Sequence, residues 1–396
     1  MSAPSAPAPG RVVMCVDMDA FYASVELRRH PEWRDVPMWV GGAGRGVVLS
    51  ANYPARAYGV RGGMSSAQAR RLCPHAVCAP PDFDAYTEVS DGIVAILETF
   101  TARVECASID EAYLDLTGAE RSTGTAVRVG ERLRAIVHDE QGISCSVGIG
   151  PNKLVAKMAT NAAKPDGLRE VAPHEVLGFL HPQPVENLVG VGESTAARLR
   201  PLGVVTVADL AALPRAALQR EFGLRAGALL ADLAWGVDAS RVVARPGERG
   251  VGNQETFGRD LTDSAQVQAE LLRLAVKVAS RMRAAEVLGR TVTLHLRFSD
   301  FTTTARSLTL AAPSDLTGDV YGAAVRLYAK LRPGRPVRRV GIRVTGLADR
   351  GTVALQPTLD APDHGWSDAE RAADDVILRF GPRAVRRAVL TRRERP

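Results

Sequence analysis

Four acidic residues in two short clusters, Asp17 with Asp19 and Asp110 with Glu111, have the type and spacing to do chemistry. Two divalent metal ions about 4 Å apart need several carboxylates brought to one place. Magnesium takes one or two carboxylates and fills its remaining positions with water and substrate phosphates. Acids supplied by separate strand ends meet that need, although acids at strand ends are also common without any metal. The second signal is cationic. Arginine outnumbers lysine by 45 to 5, yet Lys153, Lys157 and Lys164 fall within twelve residues. A lysine ammonium is a compact point charge where arginine offers a planar fork, so the cluster marks either sites that need a compact ammonium or one solvated helix face.

The elements that must position these residues follow from the hydrophobic pattern. Arg11–Asp17 is a short apolar run ending in an acid and reads as a buried strand. Helical spacing from Ala20 to Arg29 follows, stopped by Pro31. Met38–Val40 and Val47–Leu49 read as two strands around the turn GGAGRG, which lacks the spacing of a phosphate loop. Helices are expected over Met64–Leu72 and Tyr86–Phe100. Val104–Ile109 and Ala112–Leu116 form a hairpin that carries Asp110 and Glu111 at its tip. The helix Ala126–Asp139, the strand Ser144–Ile149 and the lysine-bearing helix Asn152–Ala163 complete an α+β sheet domain of ferredoxin-like type.

Residues 173–239 are almost wholly helical. The turn around Gly190 and Gly192 would present backbone N–H groups at a helix start, an arrangement suited to phosphate. Residues 240–252 read as a linker whose Arg241, Arg245 and Arg249 suit a nucleic-acid backbone or simply solvent. A second α+β unit then runs from 253 to 347. It has strands at Glu255–Phe257, Thr291–Phe298, Thr304–Leu310 and Arg338–Thr345, and helices at Ser264–Ala285 and Leu316–Leu331. Residues 348–396 form a less regular tail, with one more helix over Asp368–Phe380 and an Arg-rich end.

Bulk properties exclude some classes. No run of eighteen apolar residues is present, so no membrane-spanning helix is expected. Residues 1–10 are mostly Ala, Pro and Ser without a charged start, and read as a flexible leader instead of a signal peptide. Five scattered cysteines lack zinc-site spacing and read as reduced thiols of a cytosolic protein. A net charge of +6 permits nucleic-acid binding without requiring it.

Four strings narrow the choice: VDMDAFYASVE (16–26), SANYPARAYGV (50–60), ASIDEAYLDL (107–116) and SVGIGPNKLVAKMATNAAKPDG (146–167). In order and spacing they resemble the motifs of Y-family DNA polymerases, DinB type, and the resemblance runs from about Arg11 to about Leu347. It implies a right-hand, multidomain α+β polymerase. The palm would be 11–20 and 83–172, the small fingers 21–82, the helical thumb with helix-hairpin-helix turns 173–239, and the α+β little finger 253–347. It implies template-directed, low-fidelity DNA synthesis and lesion bypass. Two magnesium ions, for which manganese can substitute, would be held by Asp17, Asp110, Glu111 and the Met18 carbonyl.

By the same resemblance, Tyr53, Arg56 and Lys164 would grip the nucleotide triphosphate. Tyr22 would be a steric gate against a 2′-hydroxyl, with Phe21 under the same sugar. Ser108 would act near the primer end and Leu49 near the nascent base pair. Lys153, Lys157, Gly190, Gly192, Arg245, Arg249, Thr303 and Arg306 would contact DNA. Asp19 is read as shaping the turn after the first strand, not as a metal ligand. Gln356 and Leu359 would belong to a sliding-clamp peptide weakened by Asp360, where an aromatic is usual. The partners implied are primer–template DNA, deoxynucleoside triphosphates and the clamp, for a monomer in the bacterial cytoplasm, nucleoid-associated when on DNA. A nucleotide cyclase built on a similar sheet, and a non-catalytic DNA-bound scaffold, are the competing functions.

Overall fold

The computed structural model describes residues 10–119, 124–244, 250–331, 334–353, 365–381 and 384–391. The chain divides into two compact units, 1–246 and 247–396.

In the first unit a five-stranded sheet has the order β5-β6-β1-β7-β8. Its strands are β1 (Val13–Met18), β5 (Val104–Cys106), β6 (Glu111–Asp115), β7 (Cys145–Gly150) and β8 (Leu168–Glu170). A smaller sheet joins β2 (Met38–Gly41), β3 (Val48–Ala51) and β4 (Val77–Ala79) in the order β3-β2-β4. The GGAGRG turn does connect an antiparallel pair, β2 and β3.

β1 is central, and all six of its residues are buried. Side chains alternate across a strand. Met14, Val16 and Met18 therefore pack with Tyr86, Val89 and Ile93 of the helix Phe83–Glu98 and with Leu133 and Val137 of the helix Ala126–Gln141. Val13 and Cys15 take the opposite face, with Tyr113 and with Ala156 of the helix Lys153–Ala163. Asp17 has the same parity as Val13 and Cys15, so it emerges on the lysine-helix side.

That helix lies close to β7 because Gly148 has no side chain. A Cβ there would sit 2.1 Å from the Ala156 carbonyl oxygen and 2.2 Å from the Thr160 nitrogen. Asn152 caps the helix start, its side chain accepting from Val155 N–H at 2.9 Å.

The helix Phe21–Arg29, expected with the fingers, contributes Phe21, Ala23 and Val25 to the same core as β1. A separate cluster of Trp39, Val48, Ala51, Ala55, Val60, Ala69 and Cys73 fills the small sheet. Three short elements were not anticipated: the helix Tyr53–Ala57, β4 and β8. Each is three to five residues long, too short to show a period. The segment 173–239 is helical as expected, around a core that includes Phe179, Leu180, Leu199, Leu210 and Leu230.

The second unit carries a sheet of order β11-β10-β12-β9, made of β9 (Gly250–Leu261), β10 (Val287–Phe298), β11 (Thr303–Ser314) and β12 (Val337–Thr345). The short β13 (Ala348–Asp349) pairs with β10. The helices Ser264–Ala284 and Thr317–Leu331 pack on the sheet through Val267, Leu271, Leu274, Val278, Val320 and Leu327. Two expectations are corrected here. β9 begins at Gly250, inside the stretch read as linker, because Gly250 pairs with Thr345 of β12. The helix over Trp366–Phe380 is docked instead of trailing as a tail. Arg283, 4% exposed, donates to Glu370 at 2.6 Å and to Asp374 at 2.6 Å.

Among the described residues, no helix is long and apolar enough to cross a membrane. All five cysteines are free: Cys15, Cys73 and Cys145 are buried, Cys78 is half-buried and Cys106 is exposed.

Candidate active site

The site is built where β1 and β6 end side by side. Asp17 pairs directly with Glu111 in the antiparallel register. The Met18 N–H donates to the Asp110 carbonyl at 2.9 Å, which fixes the hairpin tip against the end of β1. Two acidic clusters far apart in sequence thus become one.

The lysine helix completes it. The Lys157 ammonium donates to both Asp17 and Glu111, the latter at 2.6 Å. Lys164, the residue that ends the helix, donates to the other carboxylate oxygen of Asp17. Positions 153, 157, 160 and 164 recur at helical spacing and share one face. Burial is the largest single influence and works against the charge of Lys157, but Asp17, Cys15 and Glu111 together outweigh it and raise the lysine above its ordinary value. Burial, chiefly, pushes the neighbouring Cys15 thiol up to about 12. Asp110 lies at the rim, where it accepts from the Ser108 hydroxyl at 2.6 Å.

The donor set suits a hard divalent cation, since every side-chain ligand on offer is a carboxylate oxygen. Two of the three acids already share a cation, the Lys157 ammonium. Among the described residues no three metal-ligating side chains converge on one point. Asp110 is engaged by Ser108, so binding through all three acids requires side-chain rotation.

Above the acids, Phe21 and Tyr22 open the first helix. Tyr22 packs on Tyr86 with ring centroids 4.8 Å apart and on Phe83 at 6.2 Å, while Phe21 lies 5.5 Å from Tyr22. Burial and the Asp110 carboxylate both raise the Tyr22 hydroxyl, which places the ring near the acids. Tyr86 is fully buried and donates to the buried Glu26 carboxylate at 2.6 Å. The supporting rings Phe83 and Tyr86 escaped the sequence reading. They lie on another helix, and no local spacing links them to Tyr22.

Tyr53 and Arg56 share the short helix Tyr53–Ala57. Asn52 caps it by accepting from Ala55 N–H at 3.0 Å, and Pro54 sits in the first turn, where no N–H partner is lost. The Arg56 guanidinium lies 4.9 Å from the Tyr53 ring centre, and its Nε donates to the Ala51 carbonyl at 2.9 Å. Burial, then the Asp19 carboxylate, push the Tyr53 hydroxyl up to about 12. Asp17 also raises it, so this pair borders the same acidic centre as Lys164.

The remaining expected contacts are dispersed. Lys153 donates to Glu105 at 2.6 Å and lies 4.6 Å from the Tyr113 ring centre, so its charge is spent within the protein. Lys157, expected near a DNA backbone, stands at the acids. Gly190 adopts φ +94°, and Gly192 precedes the seven-residue helix Glu193–Leu199. Thr303 and Arg306 are exposed on β11, the edge strand of the second unit. Arg245, Arg249, Gln356 and Leu359 lie outside the described residues.

Comparison with known proteins gives the family. The profile of the impB/mucB/samB family matches residues 16–161, and that of its C-terminal domain matches 248–357. A DNA polymerase-iota thumb-domain profile matches 186–238. The chain is 41% identical over 340 residues to the DNA polymerase IV of Halorhodospira halophila, covering 85% of this chain and 95% of that protein. It is 38% identical over 385 residues to the DNA polymerase IV of Moorella thermoacetica, covering 96% and 95% respectively. A solved chimera of Y-family DNA polymerases superposes with a TM-score of 0.75 at 25% identity, covering 85% of this chain and 99% of that one. With its acidic centre, its two-unit α+β architecture and these relatives, the chain belongs to the Y family of DNA polymerases, in the DinB-type branch.

Proposed function

We propose that this chain is a low-fidelity, lesion-bypassing DNA polymerase that transfers deoxynucleotides to a primer 3′-hydroxyl on a DNA template. The observation that carries the reading is the direct pairing of Asp17 with Glu111, with Asp110 adjoining and Lys164 already reaching the same carboxylate. Y-family polymerases depend on divalent metal. Here Asp17, Asp110, Glu111 and the Met18 carbonyl would hold two magnesium ions. Bound there, the metals would activate the primer hydroxyl and neutralise triphosphate charge.

The chain's own groups do the rest. Lys164 and Arg56 supply fixed positive charge to the triphosphate, and Tyr53 adds a hydroxyl donor. Tyr22, braced by Tyr86 and Phe83, presents a ring edge beneath the sugar and leaves no room for a 2′-hydroxyl. Phe21, 5.5 Å from the Tyr22 ring, would lie under the same sugar. Ser108 donates to Asp110 and keeps this acid at the rim, near where a primer end would arrive.

The palm would be 11–20 and 83–172, the fingers 21–82, the thumb 173–239, and the little finger would start at Gly250. Gly190 and Gly192 would offer backbone N–H groups to phosphate, and Thr303 and Arg306 an exposed strand edge. Such contacts are sequence-independent and weaken with salt. The enzyme acts as a monomer in the cytoplasm, on nucleoid DNA, with weak clamp binding through Gln356 and Leu359.

Primer extension with magnesium and four deoxynucleotides tests this, beside an Asp110→Ala, Glu111→Ala double variant. Distributive extension by the parent and none by the variant is expected. Binding of primer–template without extension by the parent would leave the DNA scaffold as the function.

A further inference from the structure

Asp19 is only 1% exposed, yet it does not face the acidic centre with its neighbour Asp17. β1 ends at Met18, so the alternation that would have put Asp19 on the face of Asp17 is broken. Its carboxylate instead gathers three donors from two distant segments. Ser146 Oγ donates to Oδ1 at 2.9 Å, and Ser144 Oγ donates to Oδ2 at 2.9 Å. The backbone N–H of Asp166 donates to Oδ2 at 2.8 Å. The backbone of Asp19 is fixed as well, its N–H donating to the Ser144 carbonyl at 3.0 Å and its carbonyl accepting from Ser24 Oγ at 2.5 Å.

The third donor is the informative one. Asp166 belongs to the turn that follows Lys164, and it adopts φ +46°. Gly167 closes that turn so tightly that a Cβ would lie 2.0 Å from the Ala163 carbonyl oxygen. Arg134 holds the outer side, donating to the Asp166 carboxylate at 2.6 Å. Asp19 thus ties the end of β1 to the turn from which Lys164 reaches Asp17. A buried carboxylate with both oxygens occupied by short hydrogen bonds is a fixed anchor and is not available as a metal ligand.

We infer that Asp19 is a positioning residue for Lys164: it locks the turn 164–167 to the end of β1, so that the Lys164 ammonium is held ready for the nucleotide triphosphate. The inference rests on the reading of Lys164 as a triphosphate contact. Removing the anchor lets the turn relax. The ammonium must then be ordered when nucleotide binds, and the loss falls on nucleotide affinity.

The test is single-nucleotide incorporation by full-length protein on primer–template DNA, using Asp19→Ala, Asp19→Asn, Lys164→Met and the Asp19→Ala, Lys164→Met pair. Asp19→Ala is expected to raise the nucleotide KM about tenfold, the scale of one lost charge-assisted hydrogen bond, with kcat changed by less than about threefold. Asp19→Asn keeps one acceptor oxygen and should recover most of the affinity. The double variant should be no worse than Lys164→Met alone, because the two residues act through one contact. Additive losses in the double variant, or a collapse of kcat with a shifted magnesium requirement, would overturn the inference. An unchanged KM in Lys164→Met would instead remove the reading of Lys164 beneath it. If Asp19→Ala does not fold, Asp19→Ser, whose hydroxyl is too short to reach Asp166, takes its place alone and paired with Lys164→Met, with the same KM rise and non-additivity expected.

Discussion

Replacing Lys157 with methionine removes a cation from between two carboxylates while keeping an unbranched side chain of similar length. Lys157 contacts Asp17 and Glu111 together, and the three side chains are 16%, 10% and 20% exposed. Removing one partner of a buried ion pair costs about 3–5 kcal/mol, because the remaining charge is left uncompensated. Two features reduce that figure here. The site is partly open to solvent, and Lys164 remains on the other oxygen of Asp17. A loss of about 2 kcal/mol follows, and in a unit of this size each kcal/mol moves Tm by roughly 2–4 °C. The melting transition of the first unit should therefore fall by about 4–8 °C in EDTA without DNA. A divalent ion entering the same carboxylates replaces the missing charge, and a ligand that binds only the folded state stabilises it. Magnesium should then raise Tm more in Lys157→Met than in the parent. It should also half-saturate at lower concentration, because no ammonium has to be displaced. Circular-dichroism melts across a magnesium titration, with sodium chloride matched for ionic strength, measure both effects. A Tm deficit of the same size at every magnesium concentration would refute the shared-site reasoning, and so would no deficit in EDTA.

Two further outcomes are expected. Tyr22→Ala should raise ribonucleotide relative to deoxynucleotide incorporation by about 10- to 200-fold, the range for steric discrimination in a pocket. Competing-substrate kinetics measure it, and unchanged sugar selectivity would remove the gate assignment. Arg283→Met should remove the cation shared by Glu370 and Asp374; Glu370 keeps Thr317 and Arg387, so the cost is about 3 kcal/mol, the low end for a broken buried pair. Hydrogen exchange across Trp366–Phe380 would then quicken by about a hundredfold, whereas parental protection would show that the helix is held by its apolar contacts instead.

Several of these features were legible before any coordinates. The long amphipathic helices emerged within a residue or three of their observed ends, since a 3.6-residue period over three or more turns is hard to mistake. The four motif strings named the family, and the acids at 17, 110 and 111 were identifiable as one centre because the motifs carry both residue type and order. Short elements such as Tyr53–Ala57 and β8 were not legible, because three to five residues contain no period. β9 was underestimated for a related reason: its first residues are glycine-rich, and only pairing with β12 makes them a strand.

What the sequence alone determined is the inventory: which carboxylates and cations are present, in what order, and which helices and strands carry them. Tertiary structure alone decided their pairing. It is strand register, not local spacing, that sets Asp17 opposite Glu111, and the missing side chain of Gly148 that lets the lysine helix bring Lys157 between them. Likewise, Asp19 meets Ser144, Ser146 and Asp166 only because β1 and β7 are neighbours and β1 stops at Met18. Contacts between residues this far apart in the chain are fixed by packing, and no periodicity in the sequence encodes that information.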